Sequence, residues 1–179
     1  AFSQARLKIK PEAFKVLSDD CTDFFYEHYD FKKWNGFRLV AIDGSELMLP
    51  KNKETIKEYG EYTTNFMNKN IVLARLSKAY DVLNGITLDA RLSNKKTGEH
   101  SLANLHLEKL VEGDLLLYDR GYPSCDLFRN ALAAGCQFCA RVAVNNWSVS
   151  KRLVESGQKD IIAEIKPGYE LAKKYKKQG

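Results

Sequence analysis

The sequence predicts an α/β fold, a mixed sheet flanked by helices, on three observations. Two runs are apolar apart from Arg38, and each is followed by an aspartate: 37–42 by Asp43, and 115–118 by Asp119. Two further strand-like segments lie between these runs, and helix and strand alternate after them. Early strands followed by βαβ-type alternation favour a mixed sheet with helices packed on it.

The first half of the chain begins with a helix and continues as strands. Pro11 is typical of the first turn of a helix, and apolar residues at helical spacing extend the pattern to about Tyr29. Apolar patterns then predict three strands, at 37–42, 71–80 and 82–90. Asn84-Gly85 indicates a turn near the start of the third strand, and the polar segment 49–67 gives no clear assignment.

The second half alternates between helix and strand. Its predicted elements are a helix at 99–111, a strand at 115–118, a helix opened by Pro123-Ser124 and closed by Gly135, and a strand at 138–144. The run at 115–118 is short and apolar throughout, which suits a central strand covered on both faces. Beyond Asn146 the pattern weakens, and we expect a strand at 160–165 and a basic helix at 169–177.

Composition restricts the class of protein. The 179 residues suffice for one domain, or one and a fraction. A net charge of +5 is a mild bias toward anionic partners. Part of it is a C-terminal lysine cluster that either neutralises DNA phosphates or forms a solvated helix face: Lys166, Lys173, Lys174, Lys176 and Lys177. No apolar stretch approaches the roughly 20 residues that span a bilayer, and no signal peptide opens the chain.

The cysteines and histidines give no clear ligand set. The cysteines are Cys21, Cys125, Cys136 and Cys139. The last two have C-x-x-C spacing but no second pair or nearby histidines, so we expect buried, reduced thiols, with a redox pair or a zinc site as alternatives. His28 is expected to pack on the apolar face of the first helix. His100 and His106 are six residues apart, which is wrong for a shared helical metal site.

The two aspartates are the candidate catalytic residues. Each apolar run reads as a buried strand that stops on a carboxylate and a glycine turn, at Asp43-Gly44 and at Asp119 before Gly121. An unpaired charge in a poorly hydrated place costs several kcal/mol, and two nearby carboxylates raise each other's pKa. Divalent cations relieve this repulsion, because hard cations bind carboxylate oxygens. The pair therefore suggests a metal-dependent phosphoryl-transfer site.

These motifs resemble a known family. Ala41-Ile42-Asp43-Gly44-Ser45 and Asp119-Arg120-Gly121-Tyr122 are similar to the first two acidic motifs of bacterial insertion-sequence transposases of the DDE type. The most similar branch carries a Tyr-x2-Arg-x3-Glu-x6-Lys signature around its third acid, and residues 1–6 resemble the segment before its catalytic domain. The resemblance implies a ribonuclease-H-like fold, two Mg²⁺ or Mn²⁺ ions, and cut-and-paste movement of DNA by a homodimer in the bacterial cytoplasm, on the nucleoid.

The resemblance also implies roles for individual residues. Asp43 is expected to bridge the two ions and Asp119 to hold one of them. Three residues are candidates for DNA contact. Arg120 either contacts a phosphate or pairs with an acid, Arg141 is expected at a phosphate, and Tyr122 either packs over the strand end or stacks on a base. No glutamate in the chain has the neighbours of the third catalytic acid. We therefore expect the third acid to lie outside this chain, and the fragment alone to be inactive.

Three segments follow from the resemblance, and two other functions stay open. The segments are an N-terminal helical part (1–35), an incomplete catalytic core (36–145) and the start of a strand-rich insertion (146–179). One alternative is another metal-dependent nuclease on the same fold, which a fully formed two-ion site in this chain would favour. The other is a catalytically inactive remnant that only binds DNA or a partner protein, whose DNA affinity Asp43→Ala would leave unimpaired.

Overall fold

The apolar runs of the sequence become the inner strands of one mixed sheet. A computed structural model describes residue 4 and residues 8–64 and 69–177, so most of the segment 1–6 lies outside it. The strands are β1 (Arg38–Leu49), β2 (Glu61–Thr64), β3 (Lys69–Asp81), β4 (Ile86–Asn94), β5 (Asp114–Tyr118) and β6 (Gln137–Ala140). The helices are α1 (Pro11–His28), α2 (Lys53–Tyr59), α3 (Glu99–His106), α4 (Cys125–Ala133), α5 (Ser148–Ser156) and α6 (Tyr169–Lys176), with 3-10 turns at Leu107–Lys109 and Val144–Asn146.

The strand order confirms the mixed sheet flanked by helices. The strands run β2-β3-β1-β5-β6, and β4 also pairs with β3. β3 is antiparallel to β1, β2 and β4, whereas β1, β5 and β6 are mutually parallel. β5 and β6 are connected by a helical crossover through α4, whereas the chain passes from β1 to β5 through β2, β3, β4 and α3. Because β1, β5 and β6 are parallel, their carboxyl ends meet at one edge.

One face of the parallel strands forms the core. Burial alternates along β1 and β5, and the inward side chains belong to a buried cluster with residues of α3 and α4: Val40, Ile42, Leu116, Tyr118, Ala103, Leu127 and Ala131. Because successive strand residues point to opposite faces, the residue after Ile42 faces away from this core. Asp43 is that residue, and it is exposed.

The first strand is longer than predicted, and this corrects the position of Asp43. The apolar run ends at Ile42, but β1 continues to Leu49 because β3 pairs with it up to the Leu49–Val72 pair. Pairing with β5 ends at Ile42. Asp43 therefore lies within β1, at the point where β5 stops accompanying it. The expected glycine turn at Gly44 is wrong, since the strand passes straight through it.

Other boundaries differ by a few residues for local reasons. The turn at Asn84-Gly85 is confirmed: Gly85 N donates to Asp81 O at 2.9 Å, and Gly85 has a φ of +73°. It precedes β4 rather than interrupting it, so β4 starts at Ile86. The helix expected at 99–111 ends at His106 and tightens into a 3-10 turn, and the strand expected at 138–144 is β6. The unassigned segment after β1 contains α2 and β2.

The C-terminal segment is helical rather than strand-rich. Within residues 144–177 the structure contains α5 and α6 but no strand, so the strand expected at 160–165 is wrong.

The expectation of buried thiols holds for Cys136 only, because Cys21 and Cys139 are exposed and Cys125 is half-buried. His28 is also exposed, stacked on Phe24 with a centroid distance of 4.2 Å.

Candidate active site

The strand register places Asp43 beside Asp119. Ile42 and Tyr118 are partners in the parallel β1–β5 pair, and each is followed by one of the two aspartates. Neighbouring strands lie about 4.8 Å apart, and partner residues point to the same face. The two carboxylates therefore project from adjacent positions on neighbouring strands.

Cations flank the two aspartates, one on β3 and one directly after β6. Lys78 of β3 is the antiparallel partner of Asp43. On the other side, Tyr118 pairs with Ala140, and Arg141 N donates to Tyr118 O at 3.1 Å, which sets Arg141 beside Asp119. We call Lys78, Asp43, Asp119 and Arg141 the charged row. Its order across four strands is cation, anion, anion, cation.

Asp119 carries an ion pair that leaves room for a ligand. Arg141 Nε lies 3.3 Å from Asp119 Oδ1, and the two side chains are 66% and 63% exposed. Exposed ion pairs contribute little and exchange readily with solvent. A metal ion at Asp119, or a phosphate at Arg141, would compete with a weak partner. Arg120 is exposed next to them.

Asp43 faces an open depression on the side of the sheet away from the core. The depression has a volume of about 300 Å³ and is lined by Ala41, Asp43, Gly44, Ser45, Lys78 and Tyr80. Within the described residues no hydrogen bond or ion pair engages the Asp43 carboxylate. Ala41, Gly44 and Ser45 form part of the floor of the depression, and Lys78 and Tyr80 lie beside it. The side chain is therefore accessible to a cation with its own ligands.

The donor set fits a magnesium-type ion that brings further ligands with it. Mg²⁺ is usually bound by one or two carboxylates together with water and substrate phosphates, and the row supplies two exposed carboxylates. In the part of the chain that the structure describes, no group of three or more His, Cys, Asp or Glu side chains is arranged to hold a metal ion. Asp43 and Asp119 thus supply part of a site, not a closed cage.

Tyr122 lies behind the row, and this corrects its expected role. It is only 3% exposed and stacks on Tyr118 with a centroid distance of 5.8 Å. Burial, with the charges of Glu99 and Asp43, raises its pKa to about 12, so it remains a neutral phenol. The ring packs over the strand end and is not free to stack on a nucleic-acid base.

The turn after β5 is held by the start of α3. Tyr122 N donates to Asp119 O at 3.0 Å, which closes the turn. His100 Nε2 donates to Gly121 O at 2.9 Å, and since a carbonyl only accepts, Nε2 carries the hydrogen. Sequence reasoning missed Glu99 and His100 because it had no means of docking this helix on the turn. It also missed Lys78, which the β1–β3 register reveals.

A second polar cluster is arranged like a catalytic Ser-His-Asp triad, but it is buried and no substrate can reach it. Ser77 Oγ lies 2.9 Å from His106 Nε2, and His106 Nδ1 lies 2.8 Å from Asp89 Oδ2. Nucleophilic catalysis uses such a serine, base and acid, but these residues are 1%, 0% and 5% exposed. The cluster therefore fastens α3 to β3 and β4. The apolar spacing of α3 in the sequence gave no sign of it.

Comparison with known proteins adds one clear match. A family model described as "Transposase DDE domain" matches residues 34–178, a range that contains the whole charged row. A search of curated proteins gave no match. Among the described helices, none combines the length and the apolar character needed to cross a membrane.

Proposed function

Because the chain belongs to the transposase DDE-domain family, we propose that it is the catalytic-core part of a bacterial insertion-sequence transposase. Its activity is metal-dependent cleavage of DNA strands at the ends of the element and their transfer to a target. The observation that carries the proposal is the register of β1 and β5, which sets Asp43 beside Asp119.

The aspartates and the cations of the charged row have different proposed roles. Asp43 and Asp119 would hold Mg²⁺ or Mn²⁺ through their carboxylate oxygens. Two such ions, when bound, activate the attacking oxygen and stabilise the leaving oxygen of a phosphodiester. Asp43 has no competing partner within the described residues, so both of its carboxylate oxygens would be available to bound ions. Asp119 would have to give up only its exposed pair with Arg141 to hold an ion.

The cations at the two ends of the row, together with Arg120 beside Asp119, would receive the DNA backbone. Lys78, Arg120 and Arg141 are exposed, and the exposed pair of Arg141 with Asp119 is weak enough for Arg141 to contact a phosphate instead. Arginine suits this contact because its planar fork matches phosphate oxygens. Tyr122 has no part in base contact, because it is buried. The assembly would act as a homodimer on DNA in the bacterial nucleoid.

The row supplies two of the three carboxylates that the family site takes. We therefore expect this chain alone to bind divalent ions weakly and to leave supercoiled plasmid uncut in Mg²⁺. Cleavage by the isolated chain would instead assign a third carboxylate within it, and would favour a nuclease that is complete on its own.

The metal site is tested by Mn²⁺ titration of the ¹⁵N-labelled chain. Bound Mn²⁺ broadens nearby amide signals, and we expect selective loss of signals at 42–45 and 118–121. Asp43→Asn and Asp119→Asn keep the side-chain shape and remove the charge, so each should weaken the ion's apparent affinity at least about tenfold, the scale of a lost ligand interaction. Asp160→Asn, an exposed acid on the C-terminal segment, is the matched control and should leave the titration unchanged.

Two results would contradict the proposal. Broadening that spreads over all surface acids alike would mean that no specific site exists. Broadening at the row that survives both asparagine variants would place the ion on other ligands. Either result would leave the family assignment intact and remove the proposed chemistry from these residues.

A further inference from the structure

The first residue of α3 places a third carboxylate behind the charged row. A methyl group added to Gly44 would lie 3.7 Å from Glu99 Oε1, and one added to Gly121 would lie 3.8 Å from Glu99 Oε2. Gly44 directly follows Asp43, and Gly121 stands two residues after Asp119. One carboxylate therefore lies between the two backbone segments that carry the aspartates.

Arg75 holds this carboxylate in place. Arg75 Nη1 lies 3.6 Å from Glu99 Oε1 and donates a hydrogen bond to Thr97 O at 3.0 Å. The Arg75 side chain is 19% exposed and that of Glu99 is 40% exposed. Because Arg75 belongs to β3, the contact ties the start of α3 to the sheet just beyond the pair of Asp43 and Lys78.

A separate contact from the next residue secures the turn after β5. Besides its hydrogen bond to Gly121 O, the ring of His100 stacks on Tyr122 with a centroid distance of 6.2 Å. His100 therefore fixes the turn that follows Asp119. Glu99 then spans from this turn to β1.

Glu99 approaches from the wrong side to be a metal ligand. Gly44 shares the core face of β1 with Ile42, whereas Asp43 points to the opposite face. Glu99 contacts the Gly44 side. The described part of the chain also holds no third acid, histidine or cysteine placed to complete a metal cluster with the two aspartates. Any effect of Glu99 on an ion must pass through the backbone of β1 at Gly44 and of the turn after β5.

We propose that Glu99 is a positioning residue that sets the separation of Asp43 and Asp119 and so controls their affinity for a divalent ion. This inference rests on the proposed metal site. Residues that orient metal ligands without touching the metal commonly change affinity by about 10- to 100-fold when removed. Shortening or removing the Glu99 side chain leaves a gap between Gly44 of β1 and Gly121 of the turn after β5, and these two segments are then free to move relative to each other.

The test compares four variants by the same Mn²⁺ titration, each with a thermal unfolding curve recorded without metal. Glu99→Ala and Glu99→Asp remove or withdraw the carboxylate, and we expect each to weaken Mn²⁺ binding at the row about tenfold. Glu99→Gln keeps the shape between the glycines, and its amide oxygen can still face Arg75. It should stay within about threefold of the parent, well below the roughly 10- to 100-fold loss for removal of a positioning residue. Glu108→Ala removes an exposed acid just after α3 and should change nothing.

Each outcome supports or overturns the proposal. Parental Mn²⁺ affinity in Glu99→Ala overturns it, as does parental affinity in Glu99→Asp if the alanine variant does not fold. A loss in Glu99→Gln as large as in Asp43→Asn also overturns it, by making Glu99 a direct ligand. A parent chain that binds no Mn²⁺ at the row would refute the proposed function, and the positioning role with it. If Asp43→Asn and Asp119→Asn weaken Mn²⁺ binding but no Glu99 variant does, the positioning role is refuted and the proposed function stands.

Discussion

Two carboxylates at adjacent strand positions repel each other, and the charged row offsets this repulsion with a cation at each end. Asp119 shares its charge with Arg141 at 3.3 Å, and Asp43 faces Lys78 across the β1–β3 pair. Exposure lowers the cost further, because water screens charges at the surface. Both acids thus stay at the surface, accessible to an ion from solvent.

Arg141 gives the residue-scale prediction. If it contacts a phosphate, Arg141→Gln should weaken DNA binding about equally for all sequences and reduce the slope of log affinity against log salt by about one. Binding to a short duplex measured at four salt concentrations checks this. Arg152→Gln, an exposed arginine on α5, is the matched control. An unchanged slope in Arg141→Gln, or an equal change in both variants, would remove Arg141 from the DNA interface.

At the scale of elements, the sequence predicted the strands that carry the aspartates and their neighbourhood. The family resemblance placed Asp43 and Asp119 in one site, whereas the direct pairing of β1 with β5 depends on a strand order that the apolar runs do not specify. The extension of β1 beyond Ile42 was not visible, because it depends on pairing with β3 rather than on apolar residues. Lys78 and Glu99 were not predicted for the same reason, because strand register and the packing of a helix on the sheet depend on tertiary structure. The strand expected at 160–165 failed because a short apolar run does not by itself specify a strand.

The register of β1 and β5 is fastened at the end opposite the row. Arg38 and Asp114, the first residues of the two strands, are register partners. They form a double hydrogen bond, Nε to Oδ1 at 2.7 Å and Nη2 to Oδ2 at 2.8 Å. Their side chains are 10% and 1% exposed. Burial alone would lower the pKa of Arg38, but the hydrogen bond and charge of Asp114 raise it overall.

Breaking this pair should cost far more than breaking an exposed one. Arg38→Met leaves a buried carboxylate unpaired and should lower the free energy of unfolding by about 3–5 kcal/mol, whereas the double variant Arg38→Met/Asp114→Leu should recover much of the loss. The exposed pair of Lys95 and Glu46 at 3.0 Å is the control, where Lys95→Met should cost less than about 1 kcal/mol. Urea unfolding of the single and double variants measures both. A double variant no more stable than the worse single variant would show that the charges are not coupled.

At the scale of the whole molecule, a buried polar cluster joins α3 to the sheet and makes stability depend on pH. Asp89 accepts hydrogen bonds from His106 and, at 2.6 Å, from Arg91 Nε. Burial by itself raises the pKa of Asp89, but the hydrogen bonds from His106 and Arg91 outweigh it and lower that pKa to about 2. The ordinary value is 3.8. The folded state therefore prefers the ionised carboxylate more strongly than the unfolded state does.

The sign of the pH dependence follows from this depressed pKa. The stabilisation is fully present above the unfolded pKa of 3.8 and is lost as the pH falls toward about 2. Asp89→Asn removes the titrating group, so its deficit in unfolding free energy relative to the parent should shrink by about 1 kcal/mol between pH 6 and pH 3. Urea unfolding at pH 6, 4 and 3 measures this difference. Glu108→Gln alters an exposed partner of the same Arg91 and should show no comparable change. A deficit in Asp89→Asn that stays constant with pH would mean that the carboxylate is not held ionised by this cluster, and that α3, with the turn contacts it brings to the row, is fastened by packing alone.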